Sequence, residues 1–168
     1  MTKTHFKLGL SILASVYCFY YFFSIDSWHF IDNVNLIIHE SGHYIFFIFG
    51  QFISIAGGSI MQLIMPAIFA FSFFRTGQNF SISIMLYWLA INFFSVGHYV
   101  ADAIYMNLPL LGGENVIHDW NYLLSSLKLL GQTQTMANII YGAGILCIFI
   151  GLMLAYQAFQ YENNKIVV

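Results

Sequence analysis

The sequence predicts an all-α polytopic membrane protein with four or five transmembrane helices, and three observations predict it. Of 168 residues, 60% are hydrophobic and only 7% are charged, too few charges for a water-soluble globule of this size. The apolar residues gather in runs, most of them long enough to cross about 30 Å of hydrocarbon. One polar stretch interrupts them late in the chain. The runs cover about residues 8–25, 34–55, 59–74, 82–105 and 137–159, with a polar insert over 106–135, and together they form a single integral membrane domain.

The first run follows Lys3 and Lys7, as in a signal peptide or a signal anchor. Bulky Phe19, Tyr20, Tyr21, Phe22 and Phe23 stand where a peptidase needs small residues, so an uncleaved membrane helix is expected. The third run is the shortest, opens at Gly57-Gly58 and carries Pro66 near its middle; it either spans with a kink or is re-entrant. In the insert, Asp119 to Leu130 reads as a short interfacial amphipathic helix, with Asp119 as N-cap, Trp120 and Tyr122 as interfacial anchors and Gly131 as its stop. Gly142, Gly144 and Gly151 in the last run are small enough to let helices pack closely.

Basic residues bear on topology. Five full crossings put Lys3, Lys7 and Lys128 on one face and Arg75 and Lys165 on the other, which orients nothing. A re-entrant third run gathers Lys3, Lys7, Arg75 and Lys165 on one face, leaves Lys128 opposite, and makes both termini cytoplasmic. The second arrangement is preferred. With a net charge of -2 and no basic patch, the partner indicated is the lipid bilayer and not nucleic acid. Cys18 and Cys147 lie inside apolar runs without C-x-x-C spacing, so neither a disulfide framework nor a thiolate metal site is expected.

The second run contains His39-Glu40-Ser41-Gly42-His43, an H-E-x-x-H motif on a helix. Histidines at i and i+4 share a face, so both imidazoles can hold one Zn²⁺, and Glu40 can take a proton from the activated water. A glutamate deep in a membrane helix costs roughly 2.5–3.5 kcal/mol on the lenient insertion scale, which argues for a function. Catalytic zinc takes a third protein ligand. The candidates are His98, Asp102, Glu114, His118 and Asp119; His118 or Asp102 is favoured, with Asp119 or His98 as partners that orient an imidazole. His39 should lie about 8 Å from the face where its run begins, and a re-entrant third run brings Asp102 and the insert to that same face. Gln62 is a further polar residue, for packing or for a substrate carbonyl.

His-Glu-Ser-Gly-His within an apolar helix resembles the site-2 protease family of intramembrane zinc metalloproteases, whose members cut membrane-embedded substrates. That resemblance implies His39 and His43 as metal ligands and Glu40 as the base, with a third ligand, an Asp, from a later segment of the N-x-x-P-x-x-x-D-G type. Asn107-Leu108-Pro109-Leu110-Leu111-Gly112-Gly113 is a weak echo of that segment. The strings from Leu108 to Glu114 and from His118 to Tyr122 also resemble uncharacterised bacterial membrane proteins, which implies a plasma-membrane location. The leading expectation is a zinc-dependent peptidase acting on a transmembrane or lipid-proximal substrate; a metal hydrolase of lipids and a non-catalytic metal-binding or structural protein are the alternatives. His and carboxylate ligands suit Zn²⁺ without excluding Fe²⁺, Mn²⁺ or Co²⁺.

Overall fold

A computed structural model of the chain describes residues 3–108 and 117–167. It is all-α: α1 (Lys3–Phe23), α2 (Phe30–Phe46), α3 (Gln51–Arg75), α4 (Asn79–Ala101), α5 (Asp119–Ser126) and α6 (Thr133–Val167), with short 3₁₀ turns at Phe47–Phe49 and Leu130–Gln132. Helices α1, α3, α4 and α6 are long and apolar enough to cross a membrane, so the chain is a multi-pass integral membrane protein. Half of α4 is buried, against about a quarter or less of the other three. It is the centre of the bundle.

Cross-helix contacts fix the directions. Ser11 meets Tyr87 and Phe22 packs on Phe94, so α1 and α4 run parallel. Lys7 pairs with Glu162 of α6 and lies over the Phe80 ring at the start of α4. Both termini and the α3–α4 turn therefore share one end of the bundle, and α5 sits at the other. Gly144 and Gly151 receive the rings of Phe94 and Tyr87, where a Cβ would come within 2.6 and 2.7 Å of ring carbons. Gly142 has nothing within 4 Å and packs against no neighbour. Cys18 is a free, fully buried thiol among aromatic side chains, packed as a small hydrophobe.

The third run is not re-entrant. Helix α3 continues unbroken through Gly57, Gly58 and Pro66 for 25 residues, about 37 Å at 1.5 Å per residue. The chain turns earlier, at Gly50, whose φ of 90° suits glycine alone. The short element is α2: its 17 residues reach only about 25 Å. After α1 the chain folds back into the bundle. His29 packs on Tyr17, Tyr20 and Tyr21, and Asp32 accepts hydrogen bonds from the His29 backbone N–H (2.7 Å) and the Tyr21 hydroxyl (2.7 Å). From there α2 climbs beside α4, with Asn35 level with Trp88 and His39 nearing Tyr99. Thus α2 starts inside the bundle and rises to the end that carries α5. His39 lies near the face where its helix finishes, not where it begins.

Helix α5 is capped by His118 and not by Asp119: the His118 Nδ1 accepts from the Asn121 N–H at 3.2 Å. The helix stops at Lys128 and not at Gly131. Lys128 takes a left-handed φ of 58°, and the Lys128 and Leu129 N–H groups donate back to Ser125 and Leu124, a closing motif that favours glycine. Lys128→Gly is expected to stabilise the fold by about 0.5–1 kcal/mol, raising the thermal midpoint in detergent by about 2–4 °C. An unchanged or lower midpoint would contradict it. Trp120 donates to the Ser59 hydroxyl at 3.0 Å, which docks α5 on α3.

Candidate metal centre

Histidines 39 and 43 occupy the face of α2 that packs on α3, and three glycines allow that packing. A Cβ on Gly42 would collide with the Gly57 carbonyl, and one on Gly57 would stand 2.7 Å from the Gly42 carbonyl. A Cβ on Gly58 would run into the His39 ring itself. Small residues here let the two backbones touch, as membrane helices require for close association. The imidazoles are thereby pressed against α3 and toward the N-terminus of α5.

There Asp119 meets them. Its Oδ2 lies 2.9 Å from His39 Nε2 and 3.3 Å from His43 Nε2. Among the described residues these three are the group whose ligand atoms could hold a metal ion, all within 4.8 Å of one another. Ligands about 2.1 Å from a tetrahedral ion stand about 3.4 Å apart, comparable to the two His–Asp distances. Asp119 was expected to orient an imidazole from behind. Instead its carboxylate joins the imidazole tips, because His118 takes the cap and Asp119 falls at the first helical position, with its side chain free to reach α2.

The tautomers follow from the hydrogen bonds. His43 Nδ1 lies 2.9 Å from the Ser54 backbone carbonyl, which only accepts, so Nδ1 carries the proton. For His39 the chain of inference is longer. Asn92 Nδ2 donates to the Trp88 carbonyl, so Asn92 Oδ1 accepts from Gln62 Nε2 (3.2 Å), and Gln62 Oε1 is left to accept from His39 Nδ1 (2.8 Å). In neutral rings both Nε2 lone pairs would therefore point at one carboxylate oxygen. Only a second proton on each ring or a cation between them relieves that arrangement. Burial opposes ionisation of Asp119, yet hydrogen bonds from His39 and His43 outweigh it and hold the carboxyl below its ordinary range.

Of the two favoured third ligands, neither joins the group. His118 has both nitrogens engaged: Nδ1 caps α5, and Nε2 donates to Asp102 Oδ2 at 3.2 Å. Asp102 also accepts from the Asn107 and Leu108 N–H groups, at 3.0 and 2.9 Å. This pair clasps the two ends of the polar insert and so fixes where Asp119 stands. His98 lies 3.5 Å from Asp26 across a cavity and touches neither imidazole. Glu114 and the Pro109 to Gly113 part of the family-like segment lie outside the described residues.

Glu40 faces a cavity of about 250 Å³, shared with His39, Asn35, Gln62, His98 and Tyr99. Asp26, with its side chain 90% exposed, stands at the mouth. The cavity reaches His39 and Glu40 from the end of the bundle where α4 finishes. Sequence reasoning missed the supporting residues Asn92, Ser54 and Tyr99, the last of which accepts from the Asp119 N–H at 3.1 Å. The one signal that pointed to Asp119 was its place at the start of the predicted amphipathic helix. No family model, curated protein or solved structure matches this chain.

Proposed function

We propose that this chain is a zinc-dependent intramembrane hydrolase, and specifically a peptidase. One observation carries the reading: two imidazole Nε2 atoms converge on a single carboxylate oxygen, beside a glutamate that lines a cavity. Two histidines and one carboxylate suit catalytic zinc, which keeps a fourth position open. When bound there, zinc would polarise the substrate carbonyl and lower the pKa of water. His39, His43 and Asp119 would hold it. Gln62 and the Ser54 carbonyl would orient the two rings by accepting their Nδ1 protons. Glu40 would take the proton of the attacking water and return it to the leaving amine. Asn35, Gln62 and Ser95 stand on the cavity wall and could hydrogen-bond an amide, which supports a peptide substrate over an acyl chain.

The positive-inside tendency supports an orientation as well. Lys7 and Arg75, together with Lys3 and Lys165 by chain position, belong to the end that holds both termini, whereas Lys128 belongs to the end with α5. Cytoplasmic termini follow, as does a metal site nearer the opposite face. The charge grouping is the one the sequence favoured, reached by a different re-entrant element.

The test is metal content of detergent-purified protein prepared without chelator. About one zinc per chain is expected in the wild type and in His118→Asn, which keeps a capping acceptor, with loss in His43→Ala and Asp119→Ala. Wild type without stoichiometric metal would sink the hydrolase. Gln62→Leu should keep the fold but weaken zinc about 10–100-fold, as loss of an orienting partner does; chelator competition measures it, and an unchanged affinity would remove Gln62 from the site.

A further inference from the structure

Among the described residues three buried side-chain nitrogens lack a hydrogen-bond partner; His29 Nδ1 and His98 Nε2 each have a carboxylate oxygen nearby, at 3.6 and 3.5 Å, and Asn35 Nδ2 has none. Asn35 lies one turn before His39 on the same face of α2, is 2% exposed and lines the same cavity as Glu40. Its Oδ1 accepts from Trp88 Nε1 at 2.8 Å, which fixes the amide and leaves Nδ2 turned away from the indole. Nδ2 is buried and has no hydrogen-bond partner. An amide donor left unpaired in such surroundings is costly, and the more so at membrane depth. Nothing in the packing forces asparagine there, since the Trp88 bond needs only an acceptor.

We propose that Asn35 Nδ2 is a substrate-binding group that donates to a backbone carbonyl of the peptide lying in the cavity, next to the bond that Glu40 and the metal centre attack. The inference rests on the peptidase reading and names the group that holds its substrate. Asn35 and Glu40 are five residues apart on a helix, about 7–8 Å along its axis, which is about two residues of an extended chain. A carbonyl held by Asn35 thus belongs to a residue about two positions from the cleaved bond. Within a helix a carbonyl is already bonded to the N–H four residues on, so the ligand is a locally unwound segment with free carbonyls.

The probe is a fluorescein-labelled peptide of about 20 apolar residues, long enough to span a bilayer, with a central Gly-Gly pair to unwind it. Binding is read by anisotropy on zinc-loaded Glu40→Gln protein, which cannot turn the peptide over. Adding Asn35→Asp keeps an acceptor for Trp88 and removes the donor, and is expected to weaken binding about tenfold or more. Asn35→Ala should do the same, while zinc content stays unchanged in both. Trp88→Phe, which only frees the amide to rotate, should cost less. Equal binding by Asn35→Asp and its parent, or no binding of the peptide at all, overturns the proposal. Cleavage is followed separately with Glu40 intact: peptide that binds through Asn35 but is never cut sinks the peptidase and leaves the carbonyl site. Cutting at wild-type KM by Asn35→Asp does the reverse.

Discussion

Glu40→Gln is expected to abolish peptide cleavage while leaving zinc at the wild-type level. Glu40 is not among the residues that converge on the metal position; it stands on the cavity wall one residue after His39. Gln has nearly the same shape but cannot accept the proton of the attacking water. Loss of a general base costs roughly 10²–10⁴-fold in rate, which single-turnover cleavage can measure. Asp119→Ala should be equally inactive for a different reason, having lost the metal. Turnover by Glu40→Gln within a few-fold of wild type would assign the base elsewhere and remove the main argument for an H-E-x-x-H hydrolase.

The second large effect is expected from a single methyl group on a helix that bears no ligand. In Gly58→Ala the new Cβ would meet the His39 ring, with Cδ2 and Cε1 both at 2.7 Å. The ring cannot swing aside without losing Gln62 on one nitrogen and Asp119 on the other. Nor can the helices part easily, because Gly42 and Gly57 hold their backbones in contact one turn further on. Zinc affinity should fall about a hundredfold or more, beyond the loss that removing an orienting partner alone produces. Chelator competition gives the affinity, and far-UV circular dichroism shows whether the bundle persists. Wild-type zinc affinity in Gly58→Ala would mean that the ring does not sit where these contacts put it.

These contacts also explain which parts were legible in the sequence. The spanning helices were readable because lipid imposes length and hydropathy on each run separately. The motif was readable because i and i+4 spacing is local. Gly57-Gly58 was misread as a break, since in sequence a packing glycine and a turning glycine look alike; only the φ of Gly50 and the neighbours of Gly57 tell them apart. Asp119, His118 and Asp102 were all present as candidates, but their roles depend on which residue caps α5. That is decided by the bond from the Asn121 N–H to His118, a matter of tertiary placement and not of composition. The carboxylate that meets the two imidazoles thus belongs to the residue given the supporting role, and the favoured pair became the clasp around it.

The shortness of α2 has a consequence for how the protein is made. A segment carrying Asp32, Asn35, His39, Glu40 and His43 in 17 residues is too brief and too polar to partition into lipid alone. It must wait for α3 to emerge from the ribosome and enter the bilayer with it as a hairpin, its polar face sheltered by Gln62 and the glycines. Asp119 is synthesised later still, after α4 has crossed. A nascent chain therefore carries His39, Glu40 and His43 but lacks Asp119 until some seven-tenths of the sequence has been translated, so the proposed metal centre cannot assemble before α5 is made.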